Sequence, residues 1–291
     1  MEHAPDTCAR AASALARPLA LAALAALTLA ACAGVQTDWQ YQPAQDHIGR
    51  IHVYERSNSD GSMEERISVF RRDATHIEVL KQRARCWNAA LVTAELDFDT
   101  FSAPIITGGR LQPNAEHMEF AFLNWDQDAD QLNIIVRFPD GELVNEAPVL
   151  STPWHLFDFD LASLTAMTPH LANRDAGFDF GMALVWADPG AADPLIWMGD
   201  LHAEPAARES RLGHDSRRYV LTGSALDGEM ATADTGSIWL DATAGHIVEA
   251  IIPAPNHPGY TDFRLRLLEI NDGGAAEWTR RLTAHFEGCE G

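Results

Sequence analysis

The chain has 291 residues, with 42 acidic and 21 basic side chains, a net charge of −21 and a hydrophobic fraction of 46%. That length and apolar content suffice for one large domain or two small ones around a sizeable core. The acidic balance argues against nucleic acid, because phosphate binding needs clustered Lys and Arg; a solvated acidic surface is its ordinary meaning.

Residues 1–31 carry Arg10 and Arg17, then an apolar stretch from Leu19 to Leu29 made almost wholly of Leu and Ala. Eleven residues suit the h-region of a signal peptide and are too few to span a bilayer. The stretch ends in Leu29-Ala30-Ala31-Cys32, which resembles the lipobox of bacterial lipoproteins. The resemblance implies cleavage before Cys32, a diacylglyceryl group on its thiol, and attachment to a membrane through lipid rather than a spanning helix. It also implies the outer membrane and its periplasmic face, because Ala33 stands where an Asp would favour inner-membrane retention. Removing residues 1–31 takes away two acids and two bases, so the net charge stays at −21.

Residues 32–47 are polar, contain Pro43 and lack periodicity, so they read as a lipidated tether. From residue 48 to 291 the pattern is that of a β-rich domain. Ile51 and Val53 alternate with His52 and Tyr54, Ser59-Asp60-Gly61-Ser62 marks a turn, and Ile67 and Val69 alternate again, which predicts a hairpin. Ile77 and Val79 suit a third strand. Phe120 and Phe122 alternate with Glu119 and Ala121, and Leu132, Ile134, Val136 and Phe138 form a further strand stopped by Pro139-Asp140-Gly141. Asp158 to Leu171 breaks the pattern. There Asp158 or Asp160 is placed to cap a short helix with Leu161, Leu164 and Met167 on one face.

Met182, Leu184 and Trp186 then resume the alternation, and Pro194 to Asp200 looks extended. Glu204 to Ser216 reads as a polar loop. Ser237 to Asp241 and Ile247 to Ile252 are strands about a turn, followed by Phe263, Leu265 and Leu267. After Asn271-Asp272-Gly273-Gly274, the spacing of Trp278, Leu282, Ala284 and Phe286 predicts a last strand, with Arg280 out of place on its apolar face. The expected fold is mainly β: a large antiparallel curved sheet, or a half-barrel or barrel, with one or two short helices. A lipobox ahead of such a meander is similar to the LolA/LolB class of half-barrel lipoproteins and to uncharacterised periplasmic domains of that shape. The likeness implies a carrier with a cavity for acyl chains.

Chemical motifs are sparse. The twelve histidines form neither His-x-His nor His-Glu-x-x-His, so they read as surface residues and no metal is expected. His202 and Glu204 share a strand face but lack a third ligand. Asp126, Asp128 and Asp130 begin like a calcium loop, but Gln131 and Arg137 stand where glycine and a bidentate acid belong. No nucleophile elbow, phosphate loop or dinucleotide fingerprint is present, so no catalytic residue and no cofactor is expected. With Cys32 taken by lipid, Cys86 and Cys289 are an even pair that reads as a disulfide. Seven tryptophans fall in or beside predicted strands and line either a cavity or the core. The expected cavity lining is Phe120, Phe122, Ile134, Leu184, Trp186, Trp239 and Phe263, set toward a hydrophobic ligand. The alternatives are a scaffold subunit contacting envelope proteins and a hydrolase with a dispersed site.

Overall fold

The computed structural model describes residues 38–186 and 193–289. The residues expected to form a signal peptide and lipobox, Cys32 among them, lie outside this range. The chain first builds an antiparallel meander: β1 (Ile51–Ser57), β2 (Glu65–Arg71), β3 (His76–Gln82), β4 (Ala90–Asp97), β5 (Ser102–Leu111), β6 (His117–Asp126), β7 (Gln131–Phe138) and β8 (Gly141–Pro148). An inner segment follows. It consists of β9 (Trp154–Leu156), a 3-10 turn over Phe157–Phe159, α1 (Ala162–Met167) and a second turn over Thr168–His170. A second meander comprises β10 (Phe178–Val185), β11 (Leu195–Arg211), β12 (His214–Thr222), β13 (Gly236–Asp241), β14 (Ile247–Ile252) and β15 (Phe263–Asn271), and α2 (Gly274–Ala284) follows it.

All fifteen strands form one sheet, in the order β8-β7-β6-β5-β4-β3-β2-β1-β15-β14-β13-β12-β11-β10-β9. The first and last strands of the meanders, β1 and β15, join the two halves, and every pairing is antiparallel except β9 with β10. The sheet is curved and does not close through hydrogen bonds. Its two edge strands, β8 and β9, are nevertheless consecutive in the chain and joined by residues 149–153 alone. A connection that short reaches roughly 20 Å when fully extended, so the sheet must curl until its edges approach. Asn145 Oδ1 on β8 accepts a hydrogen bond from the Leu195 amide on β11 at 3.1 Å, across that gap.

The inner segment fills the concave face. Trp154, Phe157, Phe159, Leu161, Leu164 and Met167 are all buried, and the Trp154 ring meets Trp125 edge-on at 6.0 Å between centroids. Large apolar side chains buried in this way contribute about 1.5–3 kcal/mol each. The predicted helix is present but shorter than the spacing implied, and its cap differs. Asp160 and Leu161 both adopt left-handed backbone, φ 54° and 57°, and no side chain caps the helix. The Asp160 carboxylate is engaged elsewhere.

A second, smaller core lies on the convex face, where Ile51, Val53, Phe70, Leu80 and Leu91 are covered by Trp278 and Leu282 of α2. Trp278 stacks on Phe70 at 5.3 Å and donates its indole N–H to Glu78. The strand expected over this stretch is therefore a helix. Trp278, Leu282 and Phe286 are spaced by four, an even number that fits both a strand face and a helix stripe. Arg280, misplaced for a strand, points to solvent on the helix and pairs with Glu277 at 2.6 Å. The polar loop expected over Glu204 to Ser216 is the long β11–β12 hairpin, closed by Leu212 and Gly213, both at positive φ. Such a two-residue turn matches the twist of its strands. The expected tether ends early, since Trp39 is buried against Phe101 and Phe178 and forms a bridge with Leu171. Among the described residues no helix is long and apolar enough to cross a membrane.

Candidate functional site

Strand alternation places an unusual set of side chains inside the curl. On β1 the apolar Ile51 and Val53 face outward beneath α2, so His52, Tyr54 and Arg56 face inward. On β3, Lys81 follows Ile77 and Val79 on the inner face. Charges placed in the phase of a core must be paired, and the inner segment supplies the partner. The buried Asp160 carboxylate forms an ion pair with Lys81 Nζ at 2.8 Å and accepts from Arg56 Nη1 at 3.3 Å and Asn256 Nδ2 at 2.8 Å. Burial opposes its charge, but Lys81 and Arg56 outweigh burial and hold the carboxyl down at about 2. Arg56 also pairs with Glu65, lies 4.2 Å from the centre of the Tyr260 ring and donates to the Tyr260 hydroxyl at 2.8 Å. Two successive left-handed non-glycine residues cost on the order of 1–3 kcal/mol each, and this network holds them.

Beside the network the inner segment does not fill the space. A chamber of about 200 Å³ lies between β4–β7 and the inner segment, walled by Val92, Ile106, Leu123, Ile134, Leu156 and Phe159. It adjoins an open vestibule of about 580 Å³ bordered by Arg56, Glu65, Arg83, His257, Tyr260 and Trp87. Lys81, Asp158, Val92, Gly108 and Phe120 border both spaces. Glycine at 109, where a Cβ would collide with the Met118 carbonyl oxygen, permits the bulge that leaves Phe120 between the Gly108–Ala121 and Gly109–Glu119 pairs.

The titratable groups at the neck are far from their ordinary behaviour. Burial pushes the Asp158 carboxyl up to about 6 despite the opposing Lys81, and its Oδ1 accepts from the Val185 amide at 3.1 Å. Burial, with Lys81 nearby, pushes the His257 imidazole down to about 3, and its Nε2 is buried without a hydrogen-bond partner. At the rim Trp87 is 71% exposed. Its loop is tied to the C-terminal tail by the Cys86–Cys289 disulfide, with Cα atoms 5.5 Å apart, and by a 2.8 Å contact between His285 Nε2 and the Trp87 carbonyl.

Of the residues expected to line a cavity, Phe120 and Ile134 do so. Phe122 does not, because the β6 bulge reverses the phase; Leu123 and Trp125 face inward, and Phe122 lies under the Arg137 guanidinium. Leu184 and Phe263 are packed into the main core, Phe263 against Phe157 at 5.0 Å. Trp186 packs at the margin of that core. Trp239 is on the outer side of β13, with its indole N–H donating to Glu209 at 2.6 Å and Arg211 over its ring, while Ile238 and Leu240 face the core. Arg56, Lys81, Asp158 and His257 were not anticipated as site residues. The legible signal was a charge in core phase, Lys81 after Ile77 and Val79.

The histidines depart from a surface role. His52, His155, His170, His246 and His285 are buried. His202 does meet Glu204, at 3.0 Å, together with Asp179 at 2.6 Å, in an exposed group. Asp126 Oδ1 accepts from the Asp128 and Ala129 amides, an ordinary tight turn. Neither the protein-family models nor the curated proteins match this chain.

Proposed function

We propose that this chain is a lipoprotein held by Cys32 at the periplasmic face of the outer membrane. In this reading it binds a small amphipathic molecule without transforming it. The observation that carries the binding reading is the apolar chamber opening through a charged neck to a vestibule with an exposed tryptophan on its rim. Small-molecule sites combine an apolar body with a few polar groups, in volumes of roughly 300–1,000 Å³. The vestibule is of that size, and the chamber has room for a ring or a short alkyl group. A chamber of about 200 Å³ suits a ligand with a compact apolar end better than a phospholipid. Arg83 on the vestibule wall favours an anionic head.

The test is titration of the purified protein with 1-anilinonaphthalene-8-sulfonate, followed by fluorescence. Saturable binding that Val92→Phe abolishes, with the fold unchanged by circular dichroism, supports the reading. Equal binding to wild type and variant refutes it. The exposed Val144 and Leu150 beside the edge strand β8 favour the second reading, a scaffold that docks another envelope protein.

A further inference from the structure

Away from the chamber, the curl gathers histidines from distant parts of the chain. His47 precedes β1, His52 is on β1, and His246 is in the turn before β14. One ring nitrogen from each comes within 4.8 Å of the others. The ring centroids are 5.0 Å apart for His52–His246, 5.6 Å for His47–His52 and 5.9 Å for His47–His246. His52 is 4% exposed and His246 is 2% exposed. His52 Nε2 and both ring nitrogens of His246 are buried with no hydrogen-bond partner. A neutral imidazole always presents one N–H and one lone pair, and leaving both buried without partners is rare in folded proteins. Ligation of one nitrogen and a carboxylate at the other satisfies both.

A carboxylate lies within reach of His246, without a hydrogen bond to it. Asp241 and His214 form a second group with His246, again within 4.8 Å. Asp241 Oδ1 is fixed by the Thr243 and Ala244 amides, and Oδ2 is 3.3 Å from His214 Nδ1. A carboxylate behind a ligating histidine sets its tautomer and orientation. We propose that His47, His52 and His246 form a three-histidine site for a divalent metal ion of the zinc class, with Asp241 as the positioning residue behind His246.

The surroundings fit this assignment. Zinc–nitrogen bonds of about 2.0–2.1 Å place tetrahedral ligand atoms roughly 3.3 Å apart. In this proposal metal binding draws the three ring nitrogens, now within 4.8 Å of one another, to that separation. A space of about 10 Å³ beside His47 and His52, walled by Val69, Arg71, Ile77 and Thr165, is about the size of one water. His47 is half-buried and gives a route from solvent. The nearby cations are already engaged: Arg50 with Asp272 at 2.7 Å, Arg71 with Asp46 at 2.9 Å, and Arg174 with the Pro169 carbonyl at 2.7 Å. Three imidazoles favour zinc, copper or nickel over calcium or magnesium. This site is independent of the ligand chamber and its neck.

The experiment uses the purified protein stripped with a chelator, dialysed, and titrated with Co²⁺ and then Zn²⁺. The expected result is one Co²⁺ per chain with the visible absorption of a tetrahedral nitrogen site, displaced by one Zn²⁺. His246→Gln and, should that variant not fold, the half-exposed His47→Gln should each weaken binding about 100-fold or more, and Asp241→Asn about 10–100-fold. His202→Ala, in the exposed group, should leave affinity and spectrum unchanged. Absence of stoichiometric Co²⁺ at 100 µM metal, or binding that survives His47→Gln but is lost with His202→Ala, overturns the proposal.

Discussion

Asp158→Asn tests whether the neck of the chamber is as desolvated as its geometry indicates. Asparagine keeps the acceptor for the Val185 amide and removes only the charge. In the folded chain this carboxyl titrates at about 6, against an ordinary 3.8, because burial penalises its charged form more than Lys81 favours it. Between those values the folded state binds more protons than the unfolded chain. Wild-type stability from this group therefore falls as pH rises from about 4 to about 6 and is flat above. At 1.36 kcal/mol per pKa unit, that difference amounts to about 3 kcal/mol as an upper bound, and partial solvent access reduces it to about 1–3 kcal/mol. Urea unfolding followed by tryptophan fluorescence at pH 4, 5, 6 and 7.5 should find variant and wild type nearly equal at pH 4. The variant should be more stable by that amount at pH 7.5. A gap independent of pH, or a variant less stable than wild type at pH 7.5, would refute the reasoning.

The network beneath predicts the opposite sign: Asp160→Ala leaves Lys81 and Arg56 without their shared buried partner, so thermal unfolding should show a loss of about 3–5 kcal/mol. Replacing both Cys86 and Cys289 by Ser opens a loop with a sequence separation of 203, nominally worth about 5 kcal/mol in the chain-entropy model. Denaturation midpoints should fall, and protease should cut first near Trp87. Intact-mass analysis of protein extracted from membranes should find a chain that begins at Cys32 and carries added acyl mass, and Cys32→Ser should release the protein from the membrane.

The mainly β character was legible because period-two alternation is a local property, visible in stretches such as Leu132 to Phe138 and Phe263 to Leu267. Turns with Gly and Asp marked most of the hairpins. What alternation could not reveal was which side of each strand faced the interior. On β1 the expected phase is reversed, because α2 covers its outer face with Trp278 and Leu282, and on β13 Ile238 and Leu240 face the core while Trp239 lies outside under Arg211. On β6 the bulge at Phe120, opposite Gly108 and Gly109 of β5, shifts the phase midway, so Phe120 and Phe122 part company. The strand misread over Trp278 to Phe286 has the same origin, since a spacing of four satisfies both periods and Arg280 alone distinguished them.

The candidate sites depend on distance in sequence. Lys81 and Arg56 meet Asp160 because the inner segment enters the curl. His52 meets His246 because strands flanking β15 converge on a concave face, although neighbouring strands in a flat sheet stand about 4.8 Å apart. The sequence by itself determined many of the strands and turns, the apolar N-terminal stretch and the even cysteine pair, all properties of residues near one another or simply counted. Only the tertiary structure decided which face of each strand is inside, how much space the inner segment leaves, and which histidines share it. Curvature and the two-sided core are set by the whole sheet, and no local pattern encodes them.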